Sequence, residues 1–476
     1  MVFSSVIFLL YFLPLFLLAY YICPNRFKNY LLLASSILFY SWGAPKFIFV
    51  ILGTTIIDFS LVWLMSLQSD ERYRKLFLIL SVSLNLGLLF YFKYCNFFID
   101  NLNDILSAGG IGPIQMLDVV LPIGISFYTF ESLTYVIDVY RKEHAPLKNF
   151  LDYQLYIILF PKLIAGPIIR YKDIADQING RFDTFTYAAA LKGFHRFVIG
   201  LAKKVILANT LGAYADKAFA LDLNAINSHV AWIGSFCYTL QIYFDFSGYS
   251  DMAIGIGQML GFRFPENFNN PYTSKSITEF WRRWHMTLGA WMRNYLYIPL
   301  GGNRVSSKKR LYFNLWLVFV LSGFWHGASW AFIIWGVFHG TFLVLERGWY
   351  GKFLERIGKW PALLITFLVI NFGWIFFREK SALHACRYIQ AMFCFDRPAA
   401  ELTNNMKEAY VLLLAGLFFS FFTLFKPFQR IQNRIYSDTL TQPESIVYTC
   451  SSLAILTLSV AMITASNFNP FIYFRF

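Results

Sequence analysis

Two histidines lie in an otherwise apolar and aromatic stretch, LSGFWHGASWAFIIWGVFHG, at Leu321–Gly340. A neutral imidazole such as that of His326 can take a proton from a hydroxyl group and release it again, because its ordinary pKa is about 6.5. The alternative is a histidine that is hydrogen-bonded to a backbone carbonyl and does no chemistry. Gly323 and Gly327 predict close packing of helices, with room beside His326 for a ligand. These residues alone leave both interpretations of His326 open.

A second histidine-containing block, SITEFWRRWHMTLGAWMRNYLYIPLGGNR, begins at Ser276. Ser276 and Glu279 have the spacing of a capping box, which predicts that a helix begins there. Such a helix places Arg282 and His285 on one face, together with Gly289. The block therefore brings a second imidazole and a cation into the same neighbourhood.

The basic residues of this block indicate either of two roles. Arg282 and Arg283 have the geometry to bind a phosphate through paired hydrogen bonds. Alternatively, they extend towards a cytoplasmic membrane interface, where tryptophans also gather. Asn303 belongs to a turn at the end of the block, and Arg304 begins a basic run.

Acidic residues also occur in apolar surroundings, in the stretches LPIGISFYTFESLTYVIDVYR and QIYFDFSGYSDMAIGIG. The second contains Asp245, Ser247 and Asp251. An ionised side chain within a membrane is costly without a partner, so Asp245 is expected to orient or stabilise the core. The histidines have no cysteine or carboxylate nearby at a fixed ligand spacing, which argues against a metal site. The six cysteines show no paired spacing.

These residues must be positioned by membrane helices. The chain has 476 residues, of which 57% are hydrophobic and 14% charged, whereas soluble proteins have about 25% charged residues. We predict an all-α polytopic membrane protein, a single domain over 1–476, with roughly 11 to 14 transmembrane and re-entrant helices. The candidate spans are Met1–Tyr21, Tyr30–Trp42, Phe47–Leu67, Leu76–Phe92, Val119–Val139, Phe194–Leu211, Ala231–Leu260, Leu311–Phe332, Ile333–Glu346, Leu363–Phe377, Tyr410–Phe425 and Ile446–Ile463.

The net charge of +14 is explained by cytoplasmic loops, which collect Lys and Arg, and does not indicate nucleic-acid binding. Basic residues lie in the first connecting loop, at Arg26 and Lys28, and in a late loop, at Arg430 and Arg434. Placing both loops inside predicts that the N- and C-termini are extracytoplasmic. Residues 466–476 then form an extracytoplasmic tail.

Several long strings resemble the membrane-bound O-acyltransferase family, in particular its bacterial branch that acetylates alginate and peptidoglycan. They are LPIGISFYTFES, LIAGPIIRYKD, YFDFSGYSDMAIGIG, GFRFPENFNNPY, SITEFWRRWHMTL, YLYIPLGGNR and FWHGASW, and they follow in the family's order over nearly the whole chain. The resemblance implies a ring of helices around a central catalytic tunnel. It also implies acyl transfer from a thioester to a hydroxyl.

The resemblance assigns roles to individual residues. His326 matches the family's essential catalytic histidine, and His285 matches its second polar position. His285 would bind the developing oxyanion or orient the acceptor. The phosphates of acetyl-CoA, the expected acyl donor, would bind near the cytoplasmic basic residues, namely Arg282, Arg283 and Arg304. The expected structural or substrate-orienting residues are Asp245, Ser247, Trp325 and Asn303.

The last six residues, FIYFRF, have the pattern F-x-Y-x-x-F. It resembles the end of a small membrane peptide that works with the teichoic-acid D-alanylation branch of the family, in which the tyrosine is thought to carry the acyl group. The corresponding residue here is Tyr473. The alternative is an aromatic anchor at the membrane interface.

Together these observations predict an O-acetyltransferase of the bacterial inner membrane, which moves acetyl groups outward for O-acetylation of a cell-surface polysaccharide. Family analogy adds a periplasmic partner with an SGNH-like esterase fold, and membrane lipids surround the protein. The rival prediction is a transporter of acyl or lipid-linked sugar groups that forms no bond, since polar groups at the midplane and broken helices suit it equally. Acylation of a lipid or a protein is a third possibility with the same chemistry.

Overall fold

The protein is all-α in a computed structural model that describes residues 1–379, 381–397, 406–437, 441–465 and 470–472. Within these ranges 22 α-helices and no β-strand are present, which confirms the predicted fold class. Tyr473 lies outside the described residues.

The helices of the first half begin with α1 and end with α11. They are α1 Leu13–Ile22, α2 Asn25–Gly43, α3 Ile48–Leu67, α4 Glu71–Leu89, α5 Cys95–Ala108, α6 Ile125–Tyr140, α7 Phe150–Ile158, α8 Phe160–Leu163, α9 Tyr171–Gly180, α10 Tyr187–Ala202 and α11 Asn209–Phe219. The remainder are α12 Ser228–Met259, α13 Ile277–Arg283, α14 Met286–Trp291, α15 Lys308–His326, α16 Trp330–Glu346, α17 Trp349–Ile357, α18 Lys359–Arg378, α19 Ala382–Ala391, α20 Met406–Phe421, α21 Lys426–Ile435 and α22 Gln442–Ala465. Segments of π-helix are Ile7–Phe12, Phe90–Tyr94, Lys203–Ala208 and Met292–Tyr297, and short 3-10 turns are Arg181–Asp183, Pro271–Thr273 and Phe422–Leu424.

Six helical runs in the described residues are long and apolar enough to cross a membrane. They are Ile48–Leu67, Glu71–Ala108, Tyr187–Phe219, Lys359–Arg378, Lys407–Leu424 and Gln442–Ala465, and the shorter apolar helices are Ile7–Ile22 and Trp330–Glu346. The chain is thus a multi-pass membrane protein. The total of 11 to 14 segments, the ring and the tunnel stay predictions.

The chain folds into two compact units. The first comprises residues 1–194 and 253–265, and the second comprises residues 195–252 and 266–476. In the first unit, the buried Glu131 of α6 pairs with the buried Lys162. Asp58 of α3 is also buried, and its carboxylate accepts hydrogen bonds from Ser81 and Asn85. These acids therefore have partners, as charges removed from water require.

In the second unit, α15 and α16 form a tightly packed hairpin. A side-chain carbon at Gly323 would lie 2.2 Å from the carbonyl oxygen of Phe332, so only glycine allows this approach. Helix α15 ends at His326 and α16 begins at Trp330, whereas the sequence predicted the boundary between the two membrane segments at Phe332. The ring of Phe332 fills the space beside Gly327, where an added carbon would lie 2.2 Å from it.

The predicted helix through His285 is interrupted. Ser276 does cap α13 by accepting a hydrogen bond from the backbone N–H of Glu279. However, α13 ends at Arg283, and His285 adopts a left-handed conformation with φ of +44° before α14 begins. The prediction that Arg282 and His285 share one continuous helical face is therefore wrong. The carboxylate of Glu346, the last residue of α16, supports the start of α13 through the backbone N–H groups of Ile277 and Thr278.

Candidate active site

His326 is the last residue of α15 and is buried among aromatic rings. Its ring centroid lies 4.8 Å from that of Trp325, 5.3 Å from that of Trp335 and 5.1 Å from that of Phe377. Helix α15 ends at this residue, because Gly327 has an extended backbone conformation. The imidazole is thus fixed in an apolar enclosure, where a proton acceptor is shielded from bulk water.

His285 has a left-handed backbone conformation, and its ring is hydrogen-bonded to the side-chain amide of Asn267. A left-handed conformation costs a non-glycine residue on the order of 1–3 kcal/mol, and such strain is concentrated at functional sites. The ring Nδ1 lies 3.0 Å from Oδ1 of Asn267, and the ring packs edge-on against Phe246 at 4.7 Å. Nε2 is buried and has no hydrogen-bond partner among the described residues.

One indole separates the two histidines. The Trp325 ring is 4.8 Å from that of His326 and 6.4 Å from that of His285. The structure therefore brings the two predicted catalytic histidines and Trp325 together, although 40 residues separate the histidines in the sequence. A third histidine, His339, packs 5.0 Å from both Trp281 and Trp335, and Trp335 also contacts His326.

A first cavity is lined by His285 and has a volume of about 640 Å³. Its inner wall includes His285, Trp284 and Phe319, and its lining also includes three exposed arginines. These are Arg282, Arg293 and Arg347. Among the described lining residues there is no Asp or Glu, so the cavity combines an apolar interior with a cationic rim.

The predicted basic residues divide between this cavity and other roles. Arg282 lines the cavity. Arg283 instead donates hydrogen bonds to Glu279 at 2.7 Å and to Thr273 at 3.2 Å, and Arg304 is exposed and absent from the described lining. Sequence reasoning missed Arg293 and Arg347, because single basic residues outside a cluster gave no signal.

The second cavity has a volume of about 780 Å³ and lies on the Phe377 side of His326. Phe377, whose ring contacts His326, lines it, as do Phe332, Tyr238 and Ile472. Its lining also includes the charged or polar residues Asp216, Arg378, Glu379, Ser381 and His384. His326 is absent from the described lining of both cavities. Its ring contacts Phe377, which lines the second cavity, and Trp325, which contacts His285 of the first.

The segment Pro470–Ile472 enters the interior of the second unit, where Asp245 binds it. The backbone N–H of Ile472 donates to Oδ2 of Asp245 at 2.7 Å, and Lys204 Nζ lies 2.8 Å from Oδ1 of the same carboxylate. Lys204 also donates to the carbonyl oxygen of Pro470 at 3.2 Å. The buried ring of Phe471 packs against Phe246, which also contacts His285.

Asp245 thus has the partner that its burial demands, and it binds a segment 227 residues away in the chain. Sequence reasoning missed both Lys204 and this contact. Asp251, further along α12, belongs to a separate ion cluster in which its carboxylate accepts from Arg196 and Lys203.

The remaining predicted residues have more distant places. Asn303 lines the first cavity and accepts a hydrogen bond from the Tyr297 hydroxyl at 2.6 Å. Ser247 is buried on α12 and is absent from the described lining of both cavities. No group of three or more His, Cys, Asp or Glu residues that could hold a metal ion occurs within the part of the chain that the structure describes.

Comparison with known proteins places this geometry in context. A family model described as MBOAT, membrane-bound O-acyltransferase family, matches residues 72–378. The chain is 41% identical to the probable alginate O-acetylase AlgI of Pseudomonas aeruginosa over the full length of both proteins. It is 34% identical to the peptidoglycan O-acetyltransferase of Helicobacter pylori, over 100% of this chain and 98% of that protein. It is also 31% identical to the teichoic acid D-alanyltransferase of Bacillus subtilis, over 55% of this chain and 70% of that protein.

Proposed function

Because the chain belongs to the membrane-bound O-acyltransferase family, we propose that it transfers acetyl groups from acetyl-CoA for the O-acetylation of a cell-surface polysaccharide. Alginate-like exopolysaccharide and peptidoglycan are the acceptors that the names of its relatives suggest. The observation that supports this most strongly is that the ring neighbours of His326 lead to two cavities. Phe377 lines one together with Ile472, and Trp325 contacts His285, which lines the arginine-rimmed cavity.

The first cavity suits the acyl donor. Coenzyme A has several phosphates, and guanidinium groups bind phosphate through charge-assisted hydrogen bonds. Arg282, Arg293 and Arg347 line the cavity without an opposing carboxylate among its described residues. Arg304, in the basic run after Asn303, adds long-range attraction. Since basic loops face the cytoplasm, this cavity would open there in the inner membrane, with both chain termini on the other side.

His326 is the general base in this scheme. As the acceptor hydroxyl oxygen attacks the thioester carbon, its proton passes to the His326 imidazole. A C–O bond forms, the C–S bond breaks, and the departing thiolate of coenzyme A takes the proton from His326. A positioned base accelerates such a step by about 10²–10⁴, because a hydroxyl is a weak nucleophile at neutral pH.

Tyr473 is the first acceptor in this proposal. It directly follows Ile472, which lines the cavity on the Phe377 side of His326. The Asp245 carboxylate binds the preceding backbone, so the chain is anchored one residue before the tyrosine. An extracytoplasmic partner with an esterase-like fold would then pass the acetyl group to the polysaccharide.

Release of coenzyme A distinguishes this enzyme from a transporter. Purified protein is incubated with acetyl-CoA, and the thiol is measured for wild type, His326→Ala and His339→Ala. The last is a matched control, because His339 is also buried among tryptophans. We expect release by wild type and His339→Ala and none by folded His326→Ala. Release by His326→Ala at the wild-type rate, or intact acetyl-CoA in every sample even with the partner added, would refute the proposal.

A further inference from the structure

The amide of Asn267 has a fixed orientation. Its Nδ2 donates to the Ser250 hydroxyl at 3.0 Å, and its Oδ1 accepts from the hydroxyl and the backbone N–H of Thr287 at 2.9 and 3.4 Å. Because a backbone N–H only donates, the Asn267 atom that faces Thr287 is the oxygen. This same oxygen lies 3.0 Å from Nδ1 of His285.

This orientation determines the tautomer of His285. A carbonyl oxygen accepts but does not donate, so Nδ1 must bear the ring proton. In a neutral imidazole, Nε2 then has an unprotonated lone pair. The backbone supports the arrangement, since the N–H of Met286 donates to the carbonyl oxygen of Asn267 at 2.9 Å. His285 is one of three non-glycine residues with positive φ in the described chain.

The lone pair of Nε2 has no hydrogen-bond donor among the described residues, although His285 is only 2% exposed. A buried acceptor without a donor is costly. His285 lines the first cavity, where a bound molecule can supply the missing donor.

We infer that Asn267 is a positioning residue, which fixes His285 as the tautomer whose Nε2 accepts a hydrogen bond from an N–H or O–H group of a substrate in the first cavity. The inference rests on the acyl transfer proposed above. It also decides between the two roles considered for His285, because an unprotonated Nε2 cannot donate to a developing oxyanion. His285 instead orients a group of the substrate before the bond forms.

The tautomer is tested without any activity measurement. Protein containing ¹⁵N-labelled histidine is studied by NMR, and the signals of His285 among the seven histidines are assigned by their loss in His285→Asn. We expect a protonated Nδ1 and an unprotonated Nε2 in wild type, and loss of this preference in Asn267→Ala. A protonated Nε2 in wild type would overturn the inference and leave the acyl transfer intact.

Two substitutions of His285 separate the roles of its nitrogens. A glutamine amide can place an oxygen near the position of Nε2, whereas asparagine replaces only the region of Nδ1. We expect His285→Asn to lower kcat/KM by about 100-fold, as misplaced reacting groups do, and His285→Gln to retain most of the activity. Ser250→Ala should cause a smaller loss, since Asn267 keeps its contacts with Thr287. Equal losses in the Gln and Asn variants, in step with detergent stability, would indicate a purely structural histidine and contradict the inference.

The substrate group that donates the hydrogen bond to Nε2 is identified with a pair of small acyl donors. One is S-acetyl-N-acetylcysteamine, and the other is the analogue in which an ester oxygen replaces its amide N–H; the acceptor is N-acetyl-tyrosinamide in a Tyr473→Phe background. If the enzyme prefers the acyl donor with the amide and loses this preference in His285→Asn, the N–H of the acyl donor is the group that hydrogen-bonds to Nε2. Equal use of both donors, with a raised KM for the tyrosinamide in His285→Asn, assigns the acceptor O–H. A KM for every probe that is independent of His285 would overturn the inference.

Discussion

Replacing Asp245 by leucine should destabilise the protein and release the Pro470–Ile472 segment. The side chains of Asp245 and Lys204 are 1% and 4% exposed and lie 2.8 Å apart. Removing one partner of a buried ion pair leaves an uncompensated charge and costs about 3–5 kcal/mol. We therefore expect Asp245→Leu and Lys204→Met each to lower the free energy of unfolding by that amount.

The double variant, Asp245→Leu with Lys204→Met, separates the cost of an unpaired buried charge from the cost of losing the hydrogen bonds to Pro470–Ile472. With both charges removed, the Ile472 backbone N–H lacks its acceptor and the Pro470 carbonyl oxygen lacks the Lys204 donor, and each such group costs about 1–3 kcal/mol, without the larger cost of an unpaired buried charge. The double variant should therefore be more stable than either single variant. Hydrogen exchange of the Ile472 amide should nevertheless be faster whenever Asp245 is absent.

Denaturant unfolding in detergent micelles, combined with hydrogen exchange, measures both effects. The control is Glu143→Gln, which breaks an exposed pair with Lys172 at 2.6 Å and should cost only about 0.2–1 kcal/mol. The reasoning would be refuted if Asp245→Leu cost no more than the control. It would also be refuted if the double variant were as unstable as the sum of the single variants, because that sum would mean no coupling.

Two further predictions follow from the first cavity and from the helix hairpin. Arg282→Ala and Arg293→Ala should each raise the KM for acetyl-CoA by up to about fivefold, as expected for exposed charge contacts, and the effect should shrink at high salt. Arg304→Ala should change the KM less. Equal effects of all three substitutions in steady-state kinetics would contradict the assigned lining. Gly323→Ala should destabilise the protein by about 1–3 kcal/mol through overpacking, because the added carbon would meet the Phe332 carbonyl oxygen. The control is Gly87→Ala, in open space on α4, which should be neutral or stabilising. Unfolding curves that show the reverse order of stability would refute the packing argument.

Local sequence patterns predicted the parts of the site that depend on neighbouring residues. The capping motif marked the start of α13, and the apolar runs marked membrane helices such as α3 and α18. The histidines of FWHGASW and WRRWHMTL were identified because ionisable groups in apolar stretches are costly. The structure then places one tryptophan between them.

The features that the sequence did not reveal depend on distant contacts. The left-handed turn at His285 depends on backbone hydrogen bonds from Met286 to Asn267 and from Asn269 to Arg283, and no helical pattern encodes them. The binding of Ile472 by Asp245 joins residues 227 positions apart. Arg293 was not recognised because only the folded chain brings it to the cavity that Arg282 also lines.

The central claim is that His326 catalyses acetyl transfer to Tyr473. The most direct measurement incubates purified protein with isotopically labelled acetyl-CoA and follows the label by mass spectrometry of the peptide that contains Tyr473. Wild type, His326→Ala and Tyr473→Phe are compared, with folding verified for each. The account predicts a labelled tyrosine in wild type and no label in either variant. Release of CoA without labelled peptide in wild type, or label that persists in His326→Ala, would contradict it.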